Sequence, residues 1–285
     1  MHVNFVANVH RPDALAAAVR AAKWMERRNI AVAIEPETAR FIDLPVVSSE
    51  QFAEADLVIA FGGDGTLIRA AHLCSERGTA ILGVYYGRFG FVTQCLDGDL
   101  EKCLGQIIDG KHKVESRLML EACLVRGGEP VATVHALNEA VVQRSISARM
   151  MTFQVCVDGH VLTTYPADGV IVCTPTGSTA YNLSVGGPIV DPSLSALVVS
   201  AIAPHTLTSR PLVLMPDSVV ELTMRGFGET VLSVDGQTRL HVLPEDTVRI
   251  RRSDRVTNLV IVEPDDFLVK LGQRLLYSKS FLGED

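Results

Sequence analysis

The stretch LVIAFGGDGTLIRA spans residues 57–70. Leu57 to Phe61 is a continuous apolar run, the pattern of a strand buried on both faces. It leads straight into three glycines set around an aspartate. A helix is expected over Leu67 to Arg77 and a further strand over Ala80 to Val84. Strand, glycine loop, helix and strand form the repeating unit of a parallel α/β sheet. The chain upstream has the same character. Val3 to Ala7 reads as a strand and Ile30 to Ile34 as another. Between them, Pro12 to Arg28 is alanine-rich and helical, with Pro12 suited to the first turn. Leu15, Val19, Ala22 and Met25 recur at helix spacing and mark its core face, and Trp24 falls in its interior. Leu100 to Asp109 is one more expected helix. In open sheets of this kind ligands sit outside the carboxyl ends of the strands, and the glycine loop lies at such an end.

The texture changes near residue 112. Leu118 to Val125, Met151 to Val157, Val170 to Cys173, Val219 to Met224, Thr230 to Val234, Val248 to Ile250 and Asn258 to Val262 read as strands. Gly127-Gly128 and Asp158-Gly159 read as hairpin turns. The expected organisation is an α/β domain over residues 1–112 and a β-rich domain over residues 113–261. Residues 262–285 are mixed in character, and their composition assigns them to neither.

A chain of 285 residues can bury a large core. Its 47% hydrophobic and 21% charged content is that of a globular protein. No uncharged apolar run is long enough to span a membrane, and residues 1–8 lack the pattern of a secretory signal. The six cysteines, at 74, 95, 103, 123, 156 and 173, include no C-x-x-C pair. They read as small buried hydrophobes in a reducing compartment, hence a cytoplasmic chain with no membrane partner. The net charge of −7 argues against a general nucleic-acid binder. It leaves room for a phosphorylated small molecule, because backbone N–H groups of a glycine loop bind phosphate whatever the net charge.

Gly62-Gly63-Asp64-Gly65-Thr66 leaves a strand and enters a helix. The glycines permit close approach of a ligand, and a helix start suits phosphate. Asp64 would repel phosphate if binding it were the loop's only task. A carboxylate here can hold a hydroxyl and accept its proton, or help hold Mg²⁺. The bland reading is a tight turn in which Asp64 only caps the helix. The loop is neither the dinucleotide fingerprint nor a lysine-bearing P-loop. No set of residues reads as a protein metal site.

Three further segments carry chemistry. Gly87-Arg88-Phe89-Gly90-Phe91 follows a strand end; Arg88 and Phe91 read either as pocket residues or as surface and core anchors. Asn138-Glu139 interrupts an apolar stretch, and buried polar residues need partners. The asparagine amide suits a base edge or a sugar hydroxyl, and a bulge or turn is the alternative. Asp168-Gly169 opens a strand, and a dense hydroxyl segment from Thr174 to Ser184 follows it, with Thr176, Thr179, Ala180 and Tyr181 inside it. Such a segment can wrap a polar ligand, and Tyr181 can stack on a ring. His205 reads as a hydrogen-bonded histidine near a turn. Asp235-Gly236 reads as a hairpin turn or as an approach of Asp235 to the site.

Together these pieces resemble the NAD kinase family over nearly the whole chain. The resemblance rests on GGDGTLIRA at 62–70, GRFGFVT at 87–93, ALNEAVV at 136–142, ADGVIVCTPTGSTAYNLSVGGPIV at 167–190, and APHTL with RPLV at 203–213. GGDG by itself is shared with diacylglycerol and sphingosine kinases and with phosphofructokinases; the 167–190 segment is far more specific. The resemblance implies a two-domain fold whose tail returns to the first domain, and a homodimer or homotetramer. It implies transfer of the terminal phosphoryl group of ATP, or of polyphosphate, to the adenosine ribose 2′-hydroxyl of NAD, with Mg²⁺ or another divalent cation. By the same resemblance Asp64 is the catalytic residue and Gly62, Gly63, Gly65 and Thr66 meet phosphates. Asn138 and Glu139 hold the ribose and adenine region, where Thr179, Ala180, Tyr181 and Ser184 complete the pocket. Asp168 approaches the nicotinamide end. Tyr85 stands where many members carry asparagine. The alternatives are a lipid kinase of the diacylglycerol or sphingosine type and a non-catalytic NAD-binding protein.

Overall fold

The computed structural model describes residues 1–86, 95–145, 151–226, 228–262 and 267–277. The chain divides into two compact units, Met1–Ser116 together with the stretch from Thr257, and Arg117–Val256.

In the first unit, strand β1 (His2–Ala7) is followed by helix α1 (Pro12–Glu26), β2 (Ala31–Ile34), β3 (Leu57–Gly62), helix α2 (Asp64–Cys74), β4 (Ile81–Tyr85), the short β5 (Cys95–Leu96) and helix α3 (Leu100–Ile108). β2, β1, β3 and β4 lie side by side in that order, all parallel. All six residues of β3 are buried, as its uninterrupted apolar sequence requires in a sheet covered on both faces. α1 begins with Pro12 in its first turn, as predicted. Its fully buried stripe is Ala14, Ala17, Ala18, Ala21, Ala22 and Met25, with Leu15 and Val19 only partly buried beside it. The alanines form the contact, so the helix backbone can approach the sheet closely. α1 ends at Glu26, two residues before the predicted Arg28, whose guanidinium stacks 3.7 Å over the buried Trp24 ring. Phe5 and Phe61 meet edge to face in the middle of the same core.

The second unit holds the expected β-rich fold. β6 (Lys113–Arg126) turns at Gly127-Gly128 into β7 (Glu129–Ala136), and both glycines have positive φ. Then follow β8 (Glu139–Arg144), β9 (Met151–Val157), β10 (His160–Ala167), β11 (Gly169–Cys173), the short helix α4 (Tyr181–Ser184), β12 (Leu197–Ile202), β13 (Leu212–Leu214), β14 (Val220–Arg225), β15 (Thr230–Val234), β16 (Thr238–Val242) and β17 (Thr247–Ile261). From Thr257 onward the chain is back in the first unit, which also holds helix α5 (Phe267–Tyr277). One antiparallel sheet runs β13-β12-β11-β8-β15-β16. β10, β9, β14 and the start of β17 form a second antiparallel array. The inward residues of both arrays, among them Val142, Val170, Leu232, Phe153, Leu222 and Ile250, share one core.

The two segments read as separate strands at Val248 and Asn258 are one strand, β17. The charged run Arg251, Arg252, Asp254 between them hides its continuity, and these three side chains are largely exposed. The end of β17 pairs parallel with β4, Leu259 opposite Ile81.

Candidate active site

In the first unit the site is built on α2. The helix starts at Asp64, three residues earlier than predicted, with Gly63 as its extended N-cap and no side-chain cap bond. Asp64 therefore stands in the first helical turn, half-buried, and is not the cap that the bland reading supposed. Gly62 is fixed by contact: a Cβ there would collide with the Thr66 hydroxyl and press on Asn8. A Cβ on Gly63 or Gly65 meets none of the described residues within 4 Å, which leaves room for a ligand. Asn8, His10, Gly63, Gly65, Thr66 and Arg69 line a cavity of about 240 Å³ at the carboxyl ends of β1 and β3. This is where the sheet topology places ligands, and the start of a helix offers a phosphate its N–H groups and positive dipole end.

The cavity wall is braced by charge. Arg69 Nη2 donates to Glu35 Oε1 at 2.8 Å and to the Ala7 carbonyl at 2.8 Å, and Nη1 donates to Glu37 Oε2 at 2.6 Å. Thr38 Oγ1 donates to the same Glu35 oxygen at 2.6 Å and accepts the Ala7 N–H at 3.0 Å. Both backbone groups of Ala7 are satisfied in this ring. Nothing in the local sequence of Arg69 or Glu35, 34 positions apart, marks them as partners. Tyr85 ends β4 opposite Gly62, half-buried. Arg88 and Phe91 lie outside the described residues.

In the second unit the polar pair and the hydroxyl-rich loop come together. Thr174 Oγ1 donates to the Leu137 carbonyl at 2.7 Å, and the Thr174 N–H donates to the Asn138 carbonyl at 2.8 Å. Gly177 lies against the Asn138 backbone so closely that a Cβ would overlap its carbonyl. The loop fastens itself. Ser178 Oγ donates to the Pro175 carbonyl and accepts the Val190 N–H, while Asn182 bridges the Ser178 and Pro188 carbonyls and accepts from Ser200. Many of the polar groups in this loop are thus structural. Thr176 is buried, Thr179 and Ala180 are at most half-exposed, and Tyr181 and Ser184 are exposed.

Asn138 and Glu139 are each 8% exposed. Among the described residues, Asn138 Oδ1 and Glu139 Oε2 have no hydrogen-bond partner. Burial, then the nearby Asp235 charge, pushes the Glu139 carboxyl up to about 8, against an opposing hydrogen bond from the Tyr181 N–H. Cys173, opposite Glu139 in the β8–β11 register, is raised by burial and by Glu139. Buried polar atoms left open are costly to a fold, and adjacent ones beside a shaped loop suit a ligand that supplies the missing partners.

Asp168 stands apart from this cradle. β8 and β11 pair Cys173 with Glu139 but Gly169 with Gln143, so Asp168 is at the other end of the strand pair. Its carboxylate accepts from Arg144 Nε at 2.7 Å, a partner that the sequence pattern does not reveal. His205 is exposed to solvent, and its backbone N–H donates to the Pro166 carbonyl. A larger cavity of about 420 Å³, bordered by Gln154, Cys156, Glu221 and Arg249, touches none of the site residues singled out from sequence.

Residues 3–112 match the ATP-NAD kinase N-terminal domain, and residues 137–262 match the ATP-NAD kinase C-terminal domain. This chain belongs to the NAD kinase family. Its activity is transfer of a phosphoryl group from ATP to NAD, forming NADP. The NAD kinase of Geobacter metallireducens is 39% identical over 275 residues, 96% of this chain and 97% of that one. The NAD kinase of Geotalea daltonii is 37% identical over 276 residues, with the same coverage. Among solved structures, an NAD kinase from Archaeoglobus fulgidus in complex with ATP is 25% identical with a TM-score of 0.78, covering 96% of this chain and 98% of that one. The fold also matches yeast NADH kinase complexed with NADH, at 24% identity and a TM-score of 0.90 over 97% of this chain and 87% of that one.

Proposed function

We propose that Asn138 and Glu139 hold the adenosine ribose of NAD, and that Asp64 orients or deprotonates its 2′-hydroxyl for in-line attack on the terminal phosphate of ATP. The open buried oxygens of Asn138 and Glu139 carry this reading: the hydroxyls of a ribose and an adenine edge, which offer donors and acceptors, supply the partners they lack. Tyr181 and Ser184 complete the pocket from the loop, with Thr176, Thr179 and Ala180 behind them. Asp168 serves the nicotinamide end. Its distance along the strand pair, on the order of 15 Å, suits a ligand with two remote polar ends.

The glycine loop takes the donor phosphates through Gly62, Gly63, Gly65 and Thr66. Among the described residues, no group of three or more His, Cys, Asp or Glu side chains could hold a metal ion. Mg²⁺ or another divalent cation would be carried largely by phosphate and water, with Asp64 as the side chain that would hold it. Such a cation, when bound, offsets charge on the phosphoryl oxygens. A homodimer or homotetramer in the cytoplasm belongs to the same reading, supported by family likeness and by a cysteine pattern suited to a reducing compartment. No helix among the described residues is long and apolar enough to cross a membrane.

The test is incubation of the purified protein with Mg²⁺, ATP and NAD, with product followed by mass. The expected product is NADP. Parallel reactions with NADH and with polyphosphate define the acceptor and the donor. Folded protein that yields phosphorylated diacylglycerol and no NADP overturns the assignment.

A further inference from the structure

Asp235 lies at the turn between β15 and β16, at φ +50°, with Gly236 at φ +68° beside it. That geometry makes a tight hairpin, and a turn residue needs no further role. Asp235, however, is only 8% exposed. Its Oδ1 accepts the N–H groups of Asn138 and Glu139, each at 2.9 Å, and its Oδ2 accepts the N–H of Leu137 at 2.7 Å. The Asp235 N–H in turn donates to the Glu139 carbonyl at 3.0 Å. Three consecutive backbone N–H groups thus converge on one carboxylate from almost a hundred residues away.

We propose that Asp235 is the positioning residue of the nucleotide cradle: by binding these three N–H groups it fixes the backbone from which the Asn138 and Glu139 side chains reach the ribose. The proposal rests on the reading that this pair holds NAD. Its physical basis is twofold. Consecutive N–H groups directed at one point form an anion site, and a buried carboxylate needs such donors to stay charged. Held so, its charge also acts on Glu139. Glu139 faces Asp235 from the turn, Cys173 from β11 and the Tyr181 N–H from α4.

The experiment compares Asp235→Asn, Asp235→Ser and Glu139→Gln by steady-state kinetics with NAD and ATP varied in turn, across pH. Asparagine leaves one acceptor for three donors. Asp235→Asn is therefore expected to raise the KM for NAD about tenfold or more, with the KM for ATP unchanged. In the unaltered enzyme the KM for NAD is expected to bend where Glu139 titrates, at about 8. Loss of the Asp235 charge should move that bend to lower pH, and Glu139→Gln should remove it. Asp235→Ser, a smaller side chain with a single neutral acceptor that fits the buried turn without an added amide, gives the same two readouts if the asparagine variant does not fold. If Glu139→Gln leaves the KM for NAD unchanged, the underlying reading of the ribose site fails. If Glu139→Gln raises it while the Asp235 variants keep the wild-type KM and the wild-type bend, the positioning role is overturned.

Discussion

Arg69 and Glu35 form a partly buried ion pair directly behind the glycine loop, Nη2 to Oε1 at 2.8 Å, with side chains 24% and 8% exposed. The same guanidinium holds the Ala7 carbonyl and so locks α2 to the end of β1. Removal of one partner leaves a charge buried without its counterion. Arg69→Ala is expected to destabilise the protein by about 3–5 kcal/mol, measured by urea denaturation. Glu35→Gln, which keeps an acceptor for Thr38, should cost clearly less. Equal losses in the two variants would contradict an ion-pair origin.

The glycines separate folding from binding. Gly65 lies in the first turn of α2 without a positive φ, and a Cβ added there would meet none of the described residues within 4 Å. Gly65→Ala should leave the melting temperature unchanged or raised, since alanine is favoured in a helix by roughly 0.5–1 kcal/mol. On the proposed reading, in which this space takes the donor phosphates, the KM for ATP should rise. Gly177→Ala has the opposite signature. Its Cβ would overlap the Asn138 carbonyl, so stability should fall by about 1–3 kcal/mol and the KM for NAD should rise with it. Thermal melts beside kinetics distinguish the two.

Glu139 makes stability depend on pH. Its carboxyl has an ordinary value of 4.5 and stands at about 8 in the fold. Below 4.5 the proton is bound in both states. From there up to about 8 the unfolded chain is ionised while the fold keeps the proton, so the unfolded state binds fewer protons and stability falls as pH rises. The loss is complete above about 8 and amounts to a few kcal/mol, on the order expected for a shift of this size. Glu139→Gln should flatten this dependence, measured as denaturation midpoints at about pH 5 and about pH 8. An unchanged slope in the variant would assign it elsewhere.

The parallel sheet was legible because β1, β3 and β4 are short apolar runs flanked by glycine, proline or helix. Strands at sheet edges were less so. β10 begins His-Val-Leu-Thr-Thr with its side chains mostly exposed, and β16 is Thr-Arg-Leu-His-Val with alternating exposure, so neither carries an apolar signature. Leu197–Ile202 is a buried apolar run of the readable kind that the expected strands omit. In the site, Asp64, Asn138 and Glu139 stood out because each is polar within an apolar or glycine-rich context. Asp235, Arg144 and Glu35 act through partners brought close only by strand pairing and loop packing. No local pattern encodes that proximity. The hydroxyls of 174–184 carry the converse lesson: their density signals a shaped loop, and Thr174 and Ser178 are spent on its shape.

The most direct test is turnover of Asp64→Asn beside its NAD affinity. Asparagine keeps the size of the side chain but cannot accept the proton of the 2′-hydroxyl. The expected result is a kcat lowered by about 10²–10⁴-fold with the Kd for NAD, measured by calorimetry, essentially unchanged. A variant that makes NADP at the wild-type rate would remove Asp64 from the reaction.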